Sequence, residues 1–274
     1  MVVGAGGRAT RVGAMSARSA DPRPGSLQRR SAARTAVVWN ALREVLDDLP
    51  RPASVVDIGG GTGGFAVRVA ELGHRVVVVD PSPDALATLS RRADESGVAD
   101  LVTGRQGDLD DLPGLLDDGA PADVVLCHGV LEILADPAAA LAALAGVLRP
   151  GGTLSLLVNQ RHAAVVARAM AGHFVTARSL LDGPGGPDST AGPEGVEGAP
   201  HRFTADEVAA TLDAAGFDTR SMHAVRVFVD LVPSSLVDLE PGAAQALVEL
   251  EQAVSTRPEY LALATQIHTL ATRR

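Results

Sequence analysis

Short apolar runs and segments with helical spacing follow one another in a regular order along most of the chain. The apolar runs predict five strands, at residues 55–58, 76–79, 101–103, 124–127 and 154–158. Helical spacing predicts helices at residues 65–72, 83–94 and 137–148. The second run is four valines, which is typical of a parallel strand buried on both faces. This alternation predicts an α/β fold with a doubly wound parallel sheet and helices on both faces.

Two further helices are predicted outside this repeat. Helical spacing over residues 31–49 predicts a helix that ends before Pro50. Thr204 followed by Glu207 has the spacing of a capping box, so a helix begins there, and Gly216 ends it.

Composition divides the chain into regions. Residues 1–25, rich in Arg, Gly, Ala and Ser, are predicted to be a disordered tail, and residues 26–274 to form one domain. Within that domain, Gly, Pro and acidic residues dominate residues 180–200, so we expect a flexible loop or lid there. Residues 224–232, AVRVFVDLV, predict a strand, and two helical segments follow, the second ending near Leu270.

Charge and cysteine content narrow the function classes. The formal net charge of −9 argues against broad, nonspecific binding of nucleic acid, although it leaves room for a local basic patch. Cys127 is the one cysteine, so no internal disulfide forms, and a cytoplasmic, reducing location is expected. No apolar run approaches the ~20 residues that span a membrane. We expect no membrane association and no bound metal.

The most informative stretch is VVDIGGGTGGFAV, residues 55–67, in which a strand runs into a glycine-rich turn and a helix. Gly59, Gly61 and Gly64 fit G-x-G-x-x-G, the dinucleotide fingerprint. Asp57, together with Gly59, Gly61 and Gly63, equally fits D-x-G-x-G-x-G, the pattern of methyltransferases. These residues alone do not decide between a dinucleotide and S-adenosylmethionine.

Acidic residues at the strand ends favour S-adenosylmethionine. A carboxylate at Asp57 would repel a pyrophosphate, whereas S-adenosylmethionine carries an amino group and a sulfonium. Asp80 ends the next strand, where it can accept hydrogen bonds from ribose hydroxyls, which both ligands possess. Gly107 and Asp108 follow the third strand, where an acidic side chain could hold the adenine amino group.

The motif LRPGG, residues 148–152, lies between a helix and the fifth strand, where it recurs in class I methyltransferases. Over residues 53–158 the chain resembles these S-adenosylmethionine-dependent enzymes, which have a Rossmann-like fold. A closer resemblance, from about residue 25 onward, is to the tRNA 5-carboxymethoxyuridine methyltransferase family. It is carried by CHGVLEILADP, LRPGGTLSLLV, AGHF, VRVFVDL and LVELEQAVSTRPEYLALATQIH.

The resemblance implies a set of cofactor contacts. Arg34 matches a family arginine, and its physical role would be a salt bridge to the methionine carboxylate. His128 matches another family contact, at the carboxyl end of the fourth strand. The remaining candidates are backbone contacts in the glycine turn, the ribose contact and the adenine neighbourhood: Asp57, Gly59, Gly60, Gly61, Asp80, Gln106, Gly107 and Asp108.

The methyl acceptor stays open between tRNA and a small molecule. The family has a lysine-rich stretch where this chain has its acidic loop, and a tyrosine is lost where NQRH replaces YNAH; both weaken the case for tRNA. A carboxylate acceptor needs no general base, only a group that orients it. The candidates for acceptor contact are Arg161, His162, Arg202 and Arg226.

If the acceptor were a hydroxyl or an amine, His128 or His162 could take its proton, and His201 and Glu132 are weaker candidates. Cys127 is expected to be a packed strand residue and not a nucleophile. Two other classes stay open, a non-catalytic module that binds S-adenosylmethionine and an NAD-dependent oxidoreductase. Asp57 and the LRPGG turn argue against the oxidoreductase.

Overall fold

The computed structural model describes residue 1 and residues 26–109, 111–115, 120–181, 201–239 and 242–274. A sheet of seven strands forms its centre: β1 (Ser54–Ile58), β2 (Arg75–Asp80), β3 (Val102–Gln106), β4 (Ala122–His128), β5 (Leu148–Asn159), β6 (Phe217–Val225) and β7 (Gln266–Arg273). The strand order is β3-β2-β1-β4-β5-β7-β6. The predicted tail after residue 1, and residues 182–200 of the predicted lid, lie outside the described residues.

Helices connect the strands and cover both faces of the sheet. They are α1 (Ser26–Asp47), α2 (Ala66–Glu71), α3 (Pro83–Glu95), α4 (Leu112–Leu115), α5 (Pro137–Val147), α6 (Arg161–Met170), α7 (Phe174–Ser179), α8 (Ala205–Ala214), α9 (Ser234–Leu239), α10 (Ala243–Ser255) and α11 (Pro258–Leu261). The predicted capping box is confirmed, because the Thr204 hydroxyl accepts from the Glu207 backbone N–H and the Glu207 carboxylate accepts from that of Thr204.

Strands β1 to β5 are parallel, as the alternation predicted. Side chains of adjacent strand residues enter cores on opposite faces. On one face Val55 packs with Leu42 and Leu46 of α1, and on the other Val56 packs with Leu144 of α5. Both faces are therefore apolar, and polar groups collect at the carboxyl ends of the strands.

The far part of the sheet is antiparallel, which the sequence did not predict. The expected helix ending near Leu270 is wrong: β7 lies between β5 and β6 and is antiparallel to both. In this strand Leu270 pairs with Ser155 of β5 and Ser221 of β6. Ile267 and Ala271 are fully buried, so the apolar spacing of this segment reflects burial within a sheet.

The strand predicted at residues 224–232 is also wrong beyond its first two residues. β6 ends at Val225, and Arg226 adopts a φ of 61°, which turns the chain out of the sheet. The backbone N–H groups of Val227, Phe228 and Val229 then donate to the carboxylate of Glu251, a fully buried residue of α10. This carboxylate replaces the neighbouring strand that those donors would otherwise need.

Candidate cofactor and acceptor site

Polar residues meet along one edge of the sheet, at the carboxyl ends of the parallel strands. Asp80, Gln106, His128 and Asn159 are the last residues of β2, β3, β4 and β5. Asp57 is the next-to-last residue of β1. In open α/β sheets ligands bind at this edge, where the strand order reverses, here between β1 and β4.

The backbone of the glycine turn separates the two overlapping fingerprints. Gly63 has a φ of +79°, so the glycine of the methyltransferase pattern is required by its backbone conformation. Gly64, the third glycine of the dinucleotide pattern, has no positive φ, and an added Cβ would meet nothing within 4 Å. In a dinucleotide site that third glycine serves close packing of the helix on the strand. The turn therefore fulfils the methyltransferase pattern.

Asp57 lies beneath the turn as a buried carboxylate. Its side chain packs against Gly60, where an added Cβ would come within 2.5 Å of Oδ2. Only 3% of its surface is exposed, so its carboxylate is almost wholly removed from water. Burial, together with the nearby charge of Asp80, raises the pKa of Asp57 to about 7. Such a carboxylate suits a cationic ligand, which would restore its ionised form.

Asp80 connects the glycine turn to the start of α3. Its Oδ2 accepts from the Gly61 backbone N–H at 2.9 Å, and its Oδ1 accepts from that of Ser82 at 2.9 Å. A carboxylate has about four acceptor sites, so two are left for the hydroxyls of a ribose.

The residues after β3 come close to Asp80, as their predicted role near one ligand requires. The backbone N–H of Gly107 donates to the Asp80 carbonyl at 3.3 Å. The side-chain amide of Gln106 donates to the carbonyl of Pro81 at 3.3 Å. Asp108 follows directly, and its backbone N–H donates to Asp111. The ends of β2 and β3 thus form one continuous polar wall.

His128 belongs to a buried polar network. Its Nε2 lies 2.9 Å from Ser155 Oγ, and Ser155 Oγ lies 2.8 Å from Nε2 of His268. Phe65 packs edge-on against the His128 ring, with centroids 4.9 Å apart. Burial lowers the pKa of His128 to about 4. His128 is therefore neutral near pH 7 and a poor general base, against the alternative role considered from the sequence.

Arg34 and Arg226 share one carboxylate. Arg34 of α1 donates to Oδ1 of Asp230 at 2.9 Å, and Arg226 donates to Oδ2 of the same residue at 2.7 Å. Arg226 also donates to Gln266 Oε1 at 3.3 Å. A guanidinium has five N–H donors, so these contacts orient Arg34 and leave donors for a ligand carboxylate.

Arg161 and His162 have different surroundings although they are adjacent. Arg161 is buried, and its Nη2 donates to both Glu207 oxygens at 2.7 Å and to the Arg202 carbonyl at 3.0 Å. These contacts hold α6 to α8, and all of them use Nη2 of the guanidinium. His162 is exposed, and its Nδ1 lies 3.4 Å from the Gln160 amide nitrogen.

Cys127 is fully buried in β4, and burial raises the pKa of its thiol to about 12. The expectation of a packed strand residue fits this environment, because a thiol with so high a pKa is inert as a nucleophile.

Among the described residues no group of three or more His, Cys, Asp or Glu is arranged to hold a metal ion. No helix in the described ranges is long and apolar enough to cross a membrane.

Two features of this edge had no signal in the sequence. Glu132, buried after β4, accepts from the Asn159 amide at 2.7 Å, and its other carboxylate oxygen has no partner among the described residues. Arg168 of α6 lies near Arg202, although 34 positions separate them in the sequence. Neither pairing follows from periodicity, because loops of unpredicted path bring the partners together.

The doubly wound sheet, the glycine turn and the acidic end of β2 define a class I, S-adenosylmethionine-dependent methyltransferase. The model of a methyltransferase domain family matches residues 56–156. A solved structure, an S-adenosylmethionine-dependent methyltransferase from Mesorhizobium loti, shares the fold. It has 21% identity and a TM-score of 0.56 over 88% of this chain and 100% of that one.

Curated relatives define the family more narrowly. The tRNA 5-carboxymethoxyuridine methyltransferase of Escherichia coli (strain K12) is 31% identical over 239 residues, 87% of this chain and 87% of that protein. A ubiquinone biosynthesis O-methyltransferase of Xanthomonas axonopodis pv. citri is 34% identical over 134 residues, only 49% of this chain and 54% of that protein. The chain therefore belongs to the tRNA 5-carboxymethoxyuridine methyltransferase family.

Proposed function

We propose that this methyltransferase acts on the carboxylate of a modified wobble uridine, 5-carboxymethoxyuridine, in tRNA, and works in the cytoplasm. The observation that carries the proposal is the match to the Escherichia coli enzyme of that name, which extends over 87% of both chains. A match of 239 residues necessarily extends beyond the end of β5 at Asn159.

The surroundings of the candidate bases support a carboxylate acceptor. Deprotonating a hydroxyl or amine would need a group with a pKa near neutrality. Of the two candidate bases, His128 has a pKa of about 4 and is a poor proton acceptor at pH 7, whereas His162 lies exposed on α6 beside Gln160. A carboxylate is already ionised at that pH. Its attack on the methyl group therefore needs orientation and proximity but no proton transfer.

We assign the cofactor roles from the family resemblance, and the position of Asp57, Asp80 and Gln106 at the carboxyl ends of their strands supports them. Asp57 binds the amino group of the methionine moiety, and Arg34 binds its carboxylate. Asp80 accepts hydrogen bonds from the ribose hydroxyls, beside the backbone of Gly59, Gly60 and Gly61. Gln106, Gly107 and Asp108 surround the adenine, and His128 closes the site beside the turn.

When bound, S-adenosylmethionine would supply a methyl group on a sulfonium: as an acceptor carboxylate oxygen bonds to the methyl carbon, the carbon–sulfur bond would break, giving a methyl ester and S-adenosylhomocysteine. Arg34 carries a positive charge for the carboxylate of the methionine moiety, and Asp57 becomes fully ionised when the cationic amino group binds beside it. The neutral rings of His128 and Phe65 contribute an uncharged wall between the cofactor edge and the sheet. Water exclusion there strengthens each electrostatic contact.

A direct test uses tRNA from a strain that lacks this methyltransferase and therefore carries the free acid. Purified enzyme and S-adenosylmethionine are added, the tRNA is digested to nucleosides, and these are analysed by mass spectrometry. We expect the acid to disappear and its methyl ester to appear. An unchanged nucleoside, with enzyme that binds S-adenosylhomocysteine normally, would refute the tRNA acceptor.

The net charge of −9 favours a second candidate, a small carboxylic acid or hydroxylated metabolite. The two candidates differ in salt dependence. Methylation of tRNA should weaken steeply as salt rises, because phosphate contacts release counterions, whereas a small acceptor should show a shallow dependence.

A further inference from the structure

A cavity of about 220 Å³ lies beside the carboxyl end of β5. It is lined by Ala163, Ala164 and Ala167 of α6 and by Thr265, just before β7. Gln160, the residue directly after β5, also lines it, and the side-chain oxygen of Gln160 accepts from the backbone N–H of Ala163. The cavity therefore belongs to the same edge of the sheet as the cofactor residues, on the side of β5.

Two arginines line this cavity, Arg168 from α6 and Arg202 from the segment before α8. Arg202 is half-buried and Arg168 exposed. Burial and the neighbouring charge of Arg168 both lower the pKa of the Arg202 guanidinium. The two positive groups thus lie close enough to repel each other.

The described part of the chain offers these two side chains no ion pair. Arg161, by comparison, is paired with Glu207, and Arg226 with Asp230. The charge of Glu132 attracts Arg202, but the two form no ion pair within 4.0 Å, and Oε1 of Glu132 accepts from Asn159. Arg202 is partly removed from water without an ion pair, and the neighbouring positive charge of Arg168 adds to this cost. An anion between them would remove both costs.

We propose that Arg168 and Arg202 bind an anionic group of the methyl acceptor in the cavity beside β5. This inference rests on the proposed function for the identity of the acceptor, not for the existence of the anion site. Guanidinium groups form paired hydrogen bonds with carboxylates and with phosphates, so the group is an acidic oxyanion. Its two possible sources are the uridine carboxylate and a phosphodiester of the tRNA backbone.

The first experiment compares Arg168→Gln, Arg202→Gln and the double variant with Arg75→Gln. Arg75 is exposed at the amino end of β2, on the opposite edge of the sheet, and loses the same charge. Acceptors are an RNA stem-loop containing 5-carboxymethoxyuridine and the free nucleoside, which has no phosphate. We expect KM for the stem-loop to rise about tenfold in each single variant, with unchanged affinity for S-adenosylhomocysteine.

The free nucleoside identifies the source of the anion. A matching rise in KM for the nucleoside assigns the carboxylate, and a rise confined to the stem-loop assigns the phosphodiester. KM values within twofold of the wild type for both acceptors would overturn the proposal.

A second experiment needs no activity and separates the two proposals. The melting temperature is measured with inorganic phosphate and with sodium chloride at equal ionic strength. We expect phosphate to stabilise the wild type and Arg75→Gln, and the double variant to lose this gain. A failure of the enzyme to methylate tRNA, combined with loss in the double variant of the rise in melting temperature that phosphate causes, would support the anion site and refute the tRNA function. If phosphate raised the melting temperature of the double variant as much as that of the wild type, the anion site would be refuted.

Discussion

Arg34 in the first helix and Asp230 after the sixth strand are joined by two hydrogen bonds although 196 positions separate them. Nε and Nη2 of Arg34 lie 3.2 and 2.9 Å from Oδ1 of Asp230. Asp230 also accepts from Arg226, which turns the chain out of β6. The contact therefore fixes the first helix against the antiparallel end of the sheet and orients the guanidinium assigned to the cofactor.

Replacing Arg34 should weaken binding of the methionine moiety alone. We expect Arg34→Gln to lower affinity for S-adenosylhomocysteine about tenfold, because one charge-assisted contact is lost. Affinity for 5′-methylthioadenosine, which lacks the carboxylate, should not change. Isothermal titration calorimetry measures both ligands. The matched control is Arg43→Gln, on the same helix and paired with Asp47. Equal weakening for both ligands would mean that Arg34 acts only on the fold.

Cofactor affinity should depend on pH through Asp57. Its pKa of about 7 means that ligand binding must displace a proton below that pH. We expect affinity for S-adenosylhomocysteine to rise about tenfold per pH unit up to about pH 7 and then to level off. Asp57→Asn should bind weakly and without this dependence. Calorimetry in buffers of different ionisation enthalpy counts the proton released, and a wild-type affinity independent of pH would contradict the assignment.

The raised pKa of Asp57 also affects the stability of the ligand-free protein. The folded state holds the Asp57 proton more tightly than the unfolded state, where the pKa is near 3.8. The free energy of unfolding should therefore fall as pH rises from 3.8 to about 7, and this contribution should vanish in Asp57→Asn.

Asp80→Ala should weaken S-adenosylhomocysteine binding at least tenfold, about 1.4 kcal/mol, by removing the ribose acceptors. It also removes the acceptor of the Gly61 N–H, so the turn loses support. Asp84→Ala, a charge loss at the start of α3, is the control. NADH should bind neither the wild type nor the variant. Unaltered affinity in Asp80→Ala would contradict the ribose role, and NADH binding would contradict the interpretation of the turn.

Glu251→Gln should destabilise the fold while leaving the cofactor edge intact. The carboxylate accepts three backbone N–H groups, and an amide would present its own donor to at least one of them. We expect the free energy of unfolding to fall by about 2–4 kcal/mol, as for loss of buried hydrogen bonds to a charged group. Urea denaturation measures it, with the exposed Glu249→Gln as control. A change below about 0.5 kcal/mol would show that the amide satisfies these donors.

The parallel half of the fold was predictable from sequence because its local and global preferences agree. Each valine-rich run is buried on both faces, and Ser82, Asp136 and Thr204 cap the helices that follow. The far half was not predictable. The alternating residues after Val225 resemble a strand, but Glu251 satisfies their backbone from a distant helix. The acidic residues at strand ends were found because parallel topology brings such ends together, whereas the approach of Arg168 to Arg202 depends on tertiary packing alone.

The position of β7 between β5 and β6 constrains how the protein can fold during translation. Among the described strands β6 pairs with β7 alone, and β7 is synthesised some 40 positions after β6 ends. During translation the parallel strands β1 to β5 can therefore assemble before β7 has been synthesised. At that stage β6 has no strand to pair with, and β5 has an unpaired edge. Such an edge is a template for pairing with other chains. The nascent protein passes through an interval of exposure to aggregation that closes only when β7 is inserted between its two partners.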